Sequence, residues 1–255
     1  MARRNWQRHE LLLALNLYCK LPFGQYHGRN LEIMRLAAVI DRTPNAVAMK
    51  LSNFASLDPY HQQRGISGLT NIGKADREIW NEFHQDWTAL AIESELAYLE
   101  VTSDDTPIVA DKPISSDDDQ VTEVERQVKV RVGQSFFRQV ILTSYHQQCC
   151  ICGLPVPDML IASHIVPWRD ADQHRLNPHN GLCLCALHDR GFDRGFVSVG
   201  EDYELIVGDE LRQYLPNNAV ETYFKSHHGK QIQLPDKFIP QQELLAVHRE
   251  NYFKG

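Results

Sequence analysis

Two histidines and an asparagine could form a hydrolytic set: His164, Asn180 sixteen positions on, and His188 eight further. A histidine near its ordinary pKa of about 6.5 can take a proton from water at neutral pH. A second histidine on a neighbouring helix can ligate a cation. An asparagine amide in the intervening loop can hold that loop and orient the base. Phosphodiester hydrolysis needs such a set, because charge builds on the phosphorus oxygens and on the leaving 3′ oxygen as water attacks.

The elements that must carry these residues can be read around them. Met159 to Val166, rich in Ile, Leu and Val, reads as a strand ending near His164. A loop rich in Pro and Asn follows and contains Asn180. Leu182 to Phe192 reads as a strand passing into a helix that carries His188. Gln134 to Gln147 before the set and Gln241 to Tyr252 after it read as helices. Phe196 to Val207 alternates like a hairpin around Gly200-Glu201-Asp202.

The motifs ASHIVPW, NPHNGLCL and LHDRGFDRG occur here in order. With them, about 75 residues, roughly Arg131 to Val207, resemble the HNH endonucleases, and in particular their bacterial restriction-type branch. The preceding helix, with Gln134, Phe137, Arg138 and Tyr145, is part of the resemblance. It implies a ββα-metal fold that cuts double-stranded DNA with Mg²⁺ or Mn²⁺, leaving a 5′ phosphate and a 3′ hydroxyl. Carried over by position, His164 is the general base, Asn180 the loop residue that supports it, and His188 the helix ligand to the cation. The chain departs from the family pattern at Ser163, where many relatives place an acidic or histidine ligand just before the base. Asp193 or Asp189 could supply the missing carboxylate, although Asp193 also suits a turn residue ending the helix. Arg169, Arg190 and Arg194 flank the motifs and could touch phosphates or simply be solvated.

Five of the six cysteines lie from Cys149 to Cys185. Cys149-x-x-Cys152 has zinc spacing and could pair with Cys183 and Cys185 to hold a structural Zn²⁺; Cys150 is spare. The alternative is a set of small core residues.

The N-terminal 100 residues read as helical. Trp6 to Leu21 spaces Leu11, Leu12, Leu15 and Tyr18 on helical intervals. Leu31 to Ile40 follows the capping residue Asn30, and Asn45 to Phe54 follows Thr43-Pro44. This pair has the shape of a helix-turn-helix with Val47, Leu51 and Phe54 inward. Its other face would offer Thr43, Asn45, Lys50 and Asn53 to DNA, joined by Arg138 and Arg169 from the second domain. One long helix from Ala75 would carry Trp80, Phe83 and Trp87.

The net charge of −7 does not exclude a nucleic-acid partner. Between Val101 and Glu125 eight acidic residues face Lys112 alone, which accounts for the whole excess. Residues 1–80 carry eleven Lys and Arg against six Asp and Glu. The reading is therefore an α+β protein with three parts: a helical DNA-reading domain (1–100), an acidic linker (101–125) and an HNH nuclease domain (126–255). No apolar run suits a membrane and no secretory leader opens the chain, so a cytoplasmic protein is expected. One such site cuts one strand, so a homodimer is expected. Two alternatives stay open. One is a nuclease dependent on methylated or hydroxymethylated cytosine. The other is a non-catalytic DNA-binding regulator with a degenerate fold, for which Ser163 is the best support.

Overall fold

The computed structural model describes residues 4–65, 72–102 and 118–255. They fall into two compact units, Met1–Phe136 and Phe137–Gly255, and the division lies inside one helix. The stretch 103–117, most of the acidic segment, lies outside the described residues.

The first unit is helical: α1 (Arg8–Lys20), α2 (Leu31–Val39), α3 (Pro44–Ala55), α4 (Pro59–Gln63), α5 (Lys74–Gln85), α6 (Trp87–Thr102) and the first part of α7 (Asp118–Ser144). Helix α1 is buried from Glu10 to Lys20, and α2, α3, α5 and α6 all pack on it. A helix apolar on most of its surface can only be central. Its charged ends are paired: Glu10 with Arg4 and Arg42, Lys20 with Glu95. Asn30 caps α2 by accepting from the amides of Glu32 and Ile33, and Thr43 caps α3 by accepting from that of Ala46. The long helix expected from Ala75 is instead two. Asp86 leaves helical geometry (φ −142°, ψ 81°), and its carboxylate accepts from Ala89 N at 2.9 Å, starting α6 afresh.

In the second unit, β1 (Leu160–His164) and β2 (Gly181–Cys185) form an antiparallel pair in which Leu160 faces Cys185 and His164 faces Gly181. Helix α8 (Ala186–Asp193) follows β2 without a break and packs back on both strands. A second pair, β3 (Val197–Val199) with β4 (Leu205–Val207), is followed by the short helices α9 (Asp209–Arg212) and α10 (Asn218–Tyr223) and by α11 (Gln242–Asn251), which packs on β3.

Close approach at two glycines shapes this unit. A Cβ at Gly181 would lie 2.3 Å from Ile141 Cδ1 and 2.9 Å from Phe137 Cζ, so glycine lets α7 settle on the hairpin. Gly195 ends the turn after α8 at φ +74°, where a Cβ would strike the Tyr252 carbonyl. Among the described residues no helix is long and apolar enough to cross a membrane.

Candidate active site and metal cluster

His164 closes β1, and three contacts hold its ring. Its Nε2–H donates to the Arg175 carbonyl at 2.9 Å. Phe137 lies flat against one face, with centroids 4.2 Å apart and planes 6° from parallel. Trp168 meets it edge-on at 5.6 Å. A carbonyl can only accept, so the proton sits on Nε2 and the lone pair on Nδ1. Burial holds the imidazole below its ordinary pKa, and the Arg175 carbonyl and the Asp193 charge offset part of that.

The loop between the strands is stapled by Asn180, which is fully buried. Its Oδ1 accepts from Val166 N at 2.8 Å. Its Nδ2 donates to the carbonyls of Val166 and His174 at 3.1 and 3.2 Å. Only an amide supplies both acceptor and donors here; an aspartate would lack the donors. These bonds hold the chain on both sides of the carbonyl that orients His164.

Helix α8 presents two faces. His188 turns inward, 1% exposed. Its Nε2 donates to the Tyr223 carbonyl at 2.7 Å, which leaves the Nδ1 lone pair facing two sulfurs, Cys185 Sγ at 3.2 Å and Cys149 Sγ at 3.5 Å. Cys152 Sγ lies 4.0 Å from Cys185 Sγ. All four candidate ligand atoms fall within 4.8 Å of one another. A tetrahedral zinc site with Zn–S of about 2.3 Å has S–S edges of about 3.7 Å, so the cluster fits that ion with little adjustment. The hydrogen bond from Cys185 lowers the Cys149 thiol pKa, whereas the same bond, then burial, pushes Cys185 up to about 11. A bound cation would displace those protons.

The cluster corrects two expectations. His188 faces the cysteines, not the base, and it takes the place expected for Cys183. Cys183 is not among the four clustered ligands, which are Cys149, Cys152, Cys185 and His188. The signal was in the spacing: Cys185-x-x-His188 repeats the interval of Cys149-x-x-Cys152.

The carboxylates of α8 lie toward the base. Asp189 and Asp193 are one helical turn apart, and both act electrostatically on groups at the end of β1. Burial raises the Asp189 pKa, the Ser163 hydroxyl opposes that rise, and Asp193 adds to it. The Ser163 hydroxyl is buried beside Asp189 without closing a hydrogen bond. A half-buried carboxylate beside a second carboxylate and a buried hydroxyl suits a divalent cation or its water, although Arg190 also offsets part of the Asp189 charge.

The residues expected on DNA separate into two groups. Thr43 and Asn45 are exposed at the start of α3, where Asn45 lines a cleft of about 650 Å³ with His27, Gly28 and Arg29. Lys50 and Asn53 are not exposed: each is 8% exposed and bound to Asp76, at 2.6 and 2.9 Å. Their face is covered by α5, which the pattern of α3 alone could not show. Arg138 is a clamp within its own unit, donating to the carbonyls of Leu160 and Pro157 at 2.8 and 3.3 Å. Arg169 is exposed, with Nε 3.1 Å from Asp170. No curated protein matches the chain. Residues 149–200 match the family model described as HNH endonuclease.

Proposed function

From the membership of residues 149–200 in the HNH endonuclease family, we propose that the chain is a metal-dependent DNA endonuclease in which His164 is the general base. The observation that carries this is the fixed tautomer of His164. Its Nε2–H is committed to the Arg175 carbonyl, so Nδ1 is the nitrogen left to take a proton from water. Burial keeps the ring neutral at pH 7. Asn180 positions the loop that provides the carbonyl. Asp189 and Asp193, with the Ser163 hydroxyl through water, would hold a Mg²⁺ or Mn²⁺ ion. That ion would supply charge for the phosphorane-like transition state and the leaving 3′ oxygen. Cys149, Cys152, Cys185 and His188 would hold a separate structural Zn²⁺ that locks α8 to the hairpin.

In this reading the enzyme is of the restriction type and acts as a homodimer in the cytoplasm, with residues 1–100 as its DNA reader. The exposed start of α3, with Thr43, Asn45 and the neighbouring Arg29, is the part of that domain which supports DNA contact. The test is plasmid cleavage in Mg²⁺ and Mn²⁺, run on unmodified, methylated and hydroxymethylated DNA. His164→Ala should abolish cutting and leave DNA binding intact. Undiminished cutting by that variant would overturn the assignment.

A further inference from the structure

We infer that Phe137, which precedes the matched segment, is a positioning residue for the reaction: its ring fixes the plane of the His164 imidazole. The inference rests on the reading of His164 as base. The bond to Arg175 holds one ring atom, but the terminal torsion of a histidine is broad and has no sharp preference. Something must stop the ring from swinging about that tether. Phe137 does so with a parallel face contact, 4.2 Å and 6°. Trp168 closes the edge, and is itself held where Arg175 donates to its carbonyl at 2.9 Å and lays a guanidinium over its ring.

Two further features aim Phe137 at the base. Gly181, the cross-strand partner of His164, leaves open the space that the Phe137 ring tip approaches; a Cβ there would stand 2.9 Å from Cζ. Arg138, the next residue, bolts α7 to the start of β1 through the carbonyls of Leu160 and Pro157. The ring thus sits on the helix that is tied to the strand carrying the base. A core phenylalanine needs apolar volume around it; this one has a flat partner whose orientation the chemistry requires.

The experiment compares the full-length wild type, Phe137→Leu and His164→Ala in steady-state cleavage, with thermal unfolding of each. Leucine fills apolar space but offers no flat face. The expected result is a kcat lower by about tenfold to a hundredfold, with KM and Tm close to wild type. An unchanged kcat, or a fall in kcat matched by falls in Tm and in substrate binding, would overturn the proposal. If Phe137→Leu does not fold, Phe137→Met replaces it, since its flexible chain fits irregular space. Failure of both to fold would assign Phe137 to core packing and likewise overturn it. Cutting by His164→Ala would remove the base reading and this inference together. An inert His164→Ala beside a fully active Phe137→Leu would remove this inference alone.

Discussion

His164 and His248 are both imidazoles laid flat on a phenylalanine, and burial pushes both below the ordinary histidine pKa. Their consequences differ with what the second nitrogen meets. In the proposed role of His164 that nitrogen takes the proton from water, so the depressed pKa extends the neutral, basic form to lower pH. The acidic limb of kcat/KM should therefore lie below pH 6.5, with activity lost only as the ring protonates. Cleavage rates between pH 5 and 8 would check this, and a limb above 6.5 would contradict it. In His248 both nitrogens are used: Nδ1 with the Ser198 hydroxyl at 2.9 Å and Nε2 with the Phe192 carbonyl at 3.3 Å. Burial first, then Arg249, takes its pKa to about 4, the Phe192 carbonyl opposing. The unfolded chain then binds this proton more readily than the folded one. Stability is full above about pH 6.5 and drains away as pH falls toward 4, by up to about 3 kcal/mol at 1.36 kcal/mol per pH unit. Tm should fall over that window, and less steeply in His248→Gln. Equal slopes would assign the acid sensitivity to other groups.

In the proposed assignment helix α8 carries two roles within eight residues, and side-chain direction separates them. His188 points to the sulfurs, while Asp189 and Asp193 face the end of β1. Asp189→Asn and Asp193→Asn should therefore each lower cleavage at least about a hundredfold while bound zinc and Tm stay near wild type. Cys149→Ser should instead lose the zinc and lower Tm by at least about 5 °C, because ligand binding to the folded state contributes directly to stability. Elemental analysis with thermal melts separates the two outcomes; loss of zinc in Asp189→Asn would merge the sites. The same helix shows what sequence reading can reach. Caps are local, so Asn30 and Thr43 announced α2 and α3 from their own neighbourhoods. The three motifs announced the strands and helix around the site. The direction of each side chain was hidden, because it depends on distant partners. Asp76 draws Lys50 and Asn53 inward across 26 and 23 positions, and Cys149 meets His188 across 39.

Residues 149–200 match the HNH endonuclease model, and the proposed assignment gives that stretch one general base. In the proposed mechanism the single base, His164, activates one water against one phosphodiester. A double-strand break therefore needs two encounters, either by two chains held together or by one chain acting twice. The charge pattern does not oppose DNA: the excess of acid lies between Val101 and Glu125, and residues 1–80 are net basic. At limiting protein, supercoiled plasmid should accordingly pass first to the nicked circle. If two chains act together, linear product should rise with a steeper than first-order dependence on protein concentration, and an equimolar mixture of wild type with inert His164→Ala should shift product from linear to nicked. A gel time course over a hundredfold range of protein reads both effects. Linear product appearing first at every concentration, with no nicked intermediate and no response to the inert variant, would contradict a single-strand cutter acting in pairs.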